Sequence, residues 1–228
     1  MAGNLPMTRL HTDHHTRVPR VPLAREGWPF IAAGMALTGL TALKSRRLAL
    51  LPLALTGLVT YFFRDPERAL PDAGAYLYAP ADGHVMLVDE IEDDRFIHGP
   101  AYRVAIFLSL LDVHINRCPA SGLVRYREHV PGAFRVAYDP GAIAMNERQY
   151  LGLETPRGPI MIVQVAGKLA RRIVCRPEVG DRVTCGERIG LIKFSSRTDL
   201  VFPRSMATPL VTQGTRVWGG ITPLGVLR

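Results

Sequence analysis

At 228 residues the chain has room for one globular domain that buries roughly two-thirds of its unfolded surface without disulfide or metal staples. The three cysteines, Cys118, Cys175 and Cys185, are odd in number and lack CxxC spacing, which argues against a disulfide framework or a zinc site and for a reducing compartment. A net charge of +8 draws the protein to something anionic, nucleic acid or an acidic bilayer, and composition alone does not choose between them.

Residues 1–27 form a polar, basic leader. Two apolar runs follow, WPFIAAGMALTGLTAL (Trp28 to Leu43) and LALLPLALTGLVTYFF (Leu48 to Phe63), parted only by Lys44, Ser45, Arg46 and Arg47. Each run has 16 residues, about 24 Å of helix against a hydrocarbon core of about 30 Å, and is short for a full span. The apolar region starts late, comes twice and lacks a small-residue cleavage site, so a signal peptide is disfavoured. Basic residues lie before it (Arg17, Arg20, Arg25), after it (Arg64, Arg68) and in the tight loop, so the positive-inside rule gives no clean orientation. That favours a membrane hairpin over residues 28–63 that dips in and out from one face. A helical hairpin buried in a soluble protein is the alternative.

From Arg64 onward Gly and Pro are frequent and short β-branched runs recur: HVMLVDEI, YRVAIFLSL, GPIMIVQVAG and RRIVCRP. These predict strands bounded by turns, with a short helix near Asn146 to Tyr150, and so a β-rich (α+β) domain over residues 64–228. A weak internal repeat lies inside it. VGDRVTCGERIG (Val179 to Gly190) and QGTRVWGGITPLG (Gln213 to Gly225) each carry Gly, then Val three residues on, then Gly three further on. Turn, inward residue and turn is the pattern of the hammerhead repeats in lipoyl-type sandwich barrels, and APADGHVMLV (Ala79 to Val88) is similar. A small β-sandwich or barrel is expected.

Four stretches could carry chemistry. PADGHV puts Asp82 in a tight turn, where an Asp most often only caps. FLSLLDVHINRCP puts Asp112, His114 and Arg117 just past an apolar strand, where side chains can leave the sheet for a pocket. GKLARRIV offers Lys168, Arg171 and Arg172 as an anion site or a solvated face. In GLIKFSSRTDL an apolar strand breaks at Ser195 and Ser196, ordinary turn residues if taken alone. If Ser196 is a nucleophile, it needs a general base in hydrogen-bond reach and the base needs an orienting carboxylate; His114 and Asp82 would serve. No GxSxG elbow surrounds Ser196, which disfavours an α/β-hydrolase.

FFRDPER (Phe62 to Arg68), PADGHV (Pro80 to Val85), FLSLLDVHINR (Phe107 to Arg117), AGKLARRIVC (Ala166 to Cys175) and GLIKFSSRTDLVFP (Gly190 to Pro203) resemble, in order, the successive motifs of the phosphatidylserine decarboxylases, short non-mitochondrial branch. The resemblance implies a precursor that cuts its own backbone between Ser195 and Ser196, giving chains 1–195 and 196–228, with Ser196 converted to a covalent pyruvoyl cofactor. It matches Asp82 and His114 to the family's triad carboxylate and histidine. His114, polarised by Asp82, would take the Ser196 proton while Oγ attacks the Ser195 carbonyl. The new ketone would then withdraw electrons from the substrate as its carboxylate leaves, and no metal is required.

Two positions depart from the family pattern. Ser195 stands where Gly usually precedes the cleaved serine, and Arg117 stands where long-form members carry a second histidine. Arg117, Lys168 and Arg171 are candidates for headgroup contacts. The implied partner is phosphatidylserine in an anionic membrane rather than nucleic acid, met at the cytoplasmic face of the cell membrane through residues 28–63; oligomeric state, including a homo-oligomer, stays open. A related serine phospholipid, a soluble amino acid, or a non-enzymatic lipoyl-like membrane adaptor are the rival readings. Because Asp82, His114 and Ser196 all lie beyond residue 63, loss of residues 1–63 is expected to spare self-cleavage and cost turnover on vesicles.

Overall fold

The computed structural model describes residues 22–69, 74–133, 145–167, 172–193 and 196–228. Two helices come first, α1 (Trp28–Lys44) and α2 (Arg46–Phe62), broken at Ser45, whose extended backbone turns the chain in a single residue. Gly34 lets them approach: a Cβ there would stand 2.3 Å from the Thr56 hydroxyl oxygen. The pair buries little else, since α1 has no buried residue and α2 buries only Ala49, Pro52, Thr56 and Phe62. Leu37, Leu40, Leu43, Leu48, Leu50 and Leu51 are all exposed among the described residues. No helix among the described residues is long and apolar enough to cross a membrane.

The β domain contains β1 (Tyr76–Tyr78), β2 (Gly83–Asp93), β3 (Gly99–Leu108), β4 (Ile115–Arg117), β5 (Gly122–Val130), β6 (Arg148–Thr155), β7 (Gly158–Ala166), β8 (Ile173–Cys175), β9 (Arg182–Val183), β10 (Arg188–Ile192), β11 (Ser196–Pro203), β12 (Ala207–Pro209), β13 (Arg216–Val217) and β14 (Pro223–Leu227). Eight of them form one antiparallel sheet in the order β13-β2-β3-β11-β7-β6-β5-β9. Two three-stranded sheets, β4-β10-β8 and β1-β14-β12, complete it. Within the predicted helix near Asn146 to Tyr150, Asn146 forms an isolated bridge with Ala133 and Arg148 to Tyr150 begin β6. Its backbone pairs with β5 on one side and β7 on the other, and that two-sided pairing decides what a short apolar run leaves ambiguous.

The Gly-Val-Gly repeat is a real structural repeat. Gly180 and Gly214 (φ 99° and 87°) and Gly186 and Gly220 (φ 76° and 74°) take the left-handed backbone that favours glycine. Their amides make matched bonds, Gly180 to Val124 and Gly214 to Val85, Gly186 to Cys118 and Gly220 to Ala79. The two repeats sit at opposite edges of the large sheet, yet Val183 and Val217 enter the same core as Val104, Ile106, Ile162 and Leu200. The sheet therefore curls into a half-barrel around one apolar centre.

Strand β11 runs through the middle of that sheet, between β3 and β7, and is buried on both faces. Leu200 and Phe202 face the main core, and Val201 faces a second cluster with Ala101, Tyr150 and Met161. Arg197 and Asp199 point to that second face, where they form a two-pronged ion pair at 2.6 and 2.8 Å. The first residue of this rigid, doubly paired strand is Ser196.

Candidate active site

The loop between β3 and β4 is tied by its own aspartate. The Ser109 amide and hydroxyl both donate to Asp112 Oδ2, at 2.8 and 2.7 Å, and Arg216 donates to the other carboxylate oxygen. Burial pushes the Asp112 carboxyl up, but the Ser109 and Arg216 bonds outweigh it and hold the group below its ordinary value. The loop so fixed aims the Asp112 backbone carbonyl at His114, whose Nδ1 lies 3.0 Å away. A carbonyl only accepts, so Nδ1 carries the proton and Nε2 keeps a bare lone pair.

Among the described residues nothing takes up that lone pair: His114 Nε2 is buried without a hydrogen-bond partner, and so is the Ser196 hydroxyl. One is an acceptor and the other a donor. A polar cross-link fastens the segments that carry them, since the Asn116 amide donates to Thr198 Oγ1 at 3.3 Å and the Gln164 amide to Asn116 Oδ1 at 2.7 Å. His114 and Ser196 each lie two residues ahead of a member of this link. The Phe62 ring packs against the imidazole at a tilt of 41° with centroids 4.3 Å apart, and Ala24, Phe63, Arg64, Ile115 and Leu191 line the rest of the crevice. Burial, above all, lowers the His114 pKa to about 4, opposed by the Asp112 carbonyl. The imidazole is neutral through the physiological range.

The sequence profile of the phosphatidylserine decarboxylases matches residues 55–224, a stretch that contains Asp82, Asp112, His114 and Ser196. A phosphatidylserine decarboxylase proenzyme of Symbiobacterium thermophilum is 48% identical over 206 residues, covering 90% of this chain and 95% of the relative. Proenzymes of the same description from Carboxydothermus hydrogenoformans and Nocardia farcinica are 40% and 44% identical, covering 90% and 95% of this chain and 96% and 92% of their own length. The chain belongs to the phosphatidylserine decarboxylase family.

Within this decarboxylase the expected site residues are placed unequally. Asp82 does not bond to His114. Its two oxygens accept from Arg68 at 2.6 and 2.7 Å, and Oδ1 also accepts from the Gly219 amide at 2.8 Å, so it reaches the imidazole through its charge alone. The oxygen that orients the histidine belongs to the Asp112 main chain. Arg117 is held by the protein itself. It is 3% exposed and donates to the carbonyls of Gly186 and Pro66 and to Asp65, bracing the fold from inside. Ser195, Lys168 and Arg171 lie outside the described residues.

Sequence reasoning passed over Arg64, Arg68, Phe62 and Asn116 as site residues. FFRDPER carried part of the resemblance, but its arginines were read only as charge flanking the hairpin. The structure bolts this motif to the domain: Arg68 holds Asp82, Arg188 binds Asp65 and Glu67, and Arg64 donates to the Leu111 carbonyl. Ahead of the helices, Ala24 and Phe63 are bonded main chain to main chain, and so are Pro22 and Asp65. Ala24, Phe62 and Phe63 then pack with Val113, Ile115 and Leu191 beside the histidine.

Proposed function

We propose that this protein decarboxylates phosphatidylserine to phosphatidylethanolamine and CO2, using a pyruvoyl group made from its own Ser196. The observation that carries the reading is the pair of orphaned atoms. A buried polar group without a partner is costly, and a hydroxyl and an imidazole nitrogen left so on linked segments are a nucleophile and its base awaiting reaction. His114 Nε2 takes the Ser196 Oγ proton, and Oγ attacks the carbonyl carbon of residue 195. The C–N bond to Ser196 then breaks, and the amide nitrogen takes the proton back from His114. The peptide has become an ester. Loss of the Ser196 α-proton and of the carboxylate of residue 195 empties the Cβ–O bond, and hydrolysis with release of ammonia leaves a ketone at the head of chain 196–228.

Ser196 suits such a group, because its main chain is gripped by β3 and β7 and its side-chain oxygen already sits in a buried, unoccupied hydrogen-bonding position. The pyruvoyl group supplies an electron sink when the substrate amine joins it. Neutral His114 holds or returns a proton at the same place. Asp82 steadies the site by keeping Arg68 and the Gly219 turn together.

Membrane attachment fits the exposed leucines of α1 and α2, which we read as a hairpin lying in the headgroup and upper acyl region of the cytoplasmic leaflet. A net charge of +8 favours the anionic lipids of that face.

Denaturing mass spectrometry tests the central step. The parent is expected as two chains, residues 1–195 and residues 196–228 with a blocked N-terminus, and Ser196→Ala as one chain of 25.2 kDa. A Ser196→Ala protein that still splits at this bond overturns the assignment.

The pH dependence follows from the buried histidine. An unfolded histidine titrates near 6.5 and His114 in the fold near 4, so the base stays unprotonated between them. Self-cleavage is expected to hold its rate as the pH falls from about 8 to about 5 and to halve only near 4. Stability moves in the same window: the unfolded chain takes up the extra proton, so the contribution is whole above about 6.5 and is lost as the pH drops toward 4. A cleavage midpoint near 6.5 would mean that His114 is solvated or is not the base.

A further inference from the structure

A serine headgroup whose amine reaches residue 196 carries its phosphodiester only a few bonds away, and Arg64 is the cation that lines the crevice of His114. We infer that Arg64 binds that phosphodiester, and that the groove beside it takes the glycerol and the first part of the acyl chains. This rests on the phosphatidylserine reading above.

Arg64 stands where the apolar hairpin passes into the polar domain, and its guanidinium is held in place before any ligand arrives. Nη1 donates to the Tyr61 carbonyl at 2.9 Å, Nη2 donates to the Leu111 carbonyl at 2.6 Å, and the plane lies over the Tyr61 ring at 3.9 Å. Of the five N–H groups of an arginine, these bonds use two and leave three for an anion, in a fork that suits phosphate oxygens. The residue lines two spaces at once. One is the crevice of His114, where the Arg64 charge is near enough to help depress the imidazole. The other is an open groove of about 520 Å³ lined by Pro22, Leu23, Gly57, Thr60, Tyr61 and Pro66, with no carboxylate among its walls.

The surroundings specify a lipid rather than a free phosphate. Leu110 and Leu111 are 46% and 64% exposed on the loop that Arg64 grips, and Tyr61 is 47% exposed on the other side. Tyr61 follows the exposed Leu58 at helical spacing on α2, and Arg64 ties the Leu111 loop beside it, so a surface that wets these tips with hydrocarbon puts Arg64 at the depth of the lipid phosphates. A cation at that depth, with an apolar groove on one side and the reacting residues on the other, matches a phospholipid read from tail to head.

The test uses the full-length, self-processed enzyme on dioleoyl phosphatidylserine in mixed detergent micelles, with glycerophosphoserine, which has the phosphodiester but no acyl chains, as competitor. Arg64→Gln is expected to raise the KM for the lipid at least about tenfold, to weaken competition by glycerophosphoserine about as much, and to leave kcat within about threefold. Arg64→Lys keeps the charge without the fork and should fall between. Gly57→Leu fills the groove, and nothing stands within 4 Å of the Cβ it would add, so the helix accepts it. It should raise the KM for the lipid and leave competition by glycerophosphoserine at the parent value. An Arg64→Gln enzyme with the parent's KM and the parent's competition overturns the subsite, as does a Gly57→Leu enzyme with the parent's KM overturn the groove. A parent that splits into two chains but does not decarboxylate the lipid would instead overturn the function on which this site rests.

Discussion

Replacement of His114 by glutamine is expected to leave the precursor uncut, slowing self-cleavage by at least about a hundredfold, the usual worth of a positioned general base. Glutamine fills much of the same space and can still donate to the Asp112 carbonyl, so the loss reports the missing base more than a collapsed loop. Asp82→Asn separates two roles for the aspartate. If Asp82 oriented the imidazole directly, its loss would be as damaging as that of the histidine. The structure gives orientation to a main-chain carbonyl and places Asp82 against Arg68 and Gly219, so Asp82→Asn should slow cleavage only moderately. Arg68→Ala should match it, and the double variant should be little worse than either, because both remove one contact. The disappearance of the 25.2 kDa precursor with time measures all four proteins. A stopped Asp82→Asn together with a normal Arg68→Ala would restore the direct triad.

Removal of everything before Asp65 is expected to cripple self-cleavage, although Asp82, His114 and Ser196 all survive the cut. The sequence suggests the opposite, since the chemistry and the apolar hairpin lie in separate stretches. In three dimensions the last residues of the hairpin belong to the site: Phe62 covers the imidazole at 4.3 Å, and Phe63 and Ala24 close the cluster around Ile115 and Leu191. Without them water reaches His114, the burial that lowers its pKa is lost, and the ring is free to turn. Two companions distinguish this from loss of the anchor. Phe62→Ala in the whole chain should slow cleavage and move its pH midpoint up from about 4 toward 6.5. A chain beginning at Val59, which keeps both phenylalanines, should cleave faster than the one beginning at Asp65 and still turn over vesicle-borne lipid poorly. Cleavage at the parent rate by the protein that begins at Asp65 would show that the hairpin is an anchor and nothing more.

The sequence by itself determined the features whose signal is local. Two 16-residue apolar runs with a basic loop become two helices, because helix periodicity and length are written in adjacent residues. The Gly-Val-Gly repeat becomes two equivalent turns at opposite sheet edges, because positive φ selects glycine wherever it occurs. Ser196, where the apolar run has given way to polar residues, is the first residue of β11. The tertiary structure alone decided the partners. The oxygen that orients His114 is a peptide carbonyl, a group that every residue carries and that no side-chain pattern reveals. Asp82 was visible as a carboxylate in a turn, but its attachment to Arg68 depends on how residues 64–69 cross the domain. Asn116 and Thr198 are 82 residues apart and meet only because β11 is threaded between β3 and β7. Phe62, read as the end of a membrane helix, became the lid of the histidine for the same reason: burial is set by what the folded chain lays against a side chain, and that information is spread over the whole sequence rather than held at the residue.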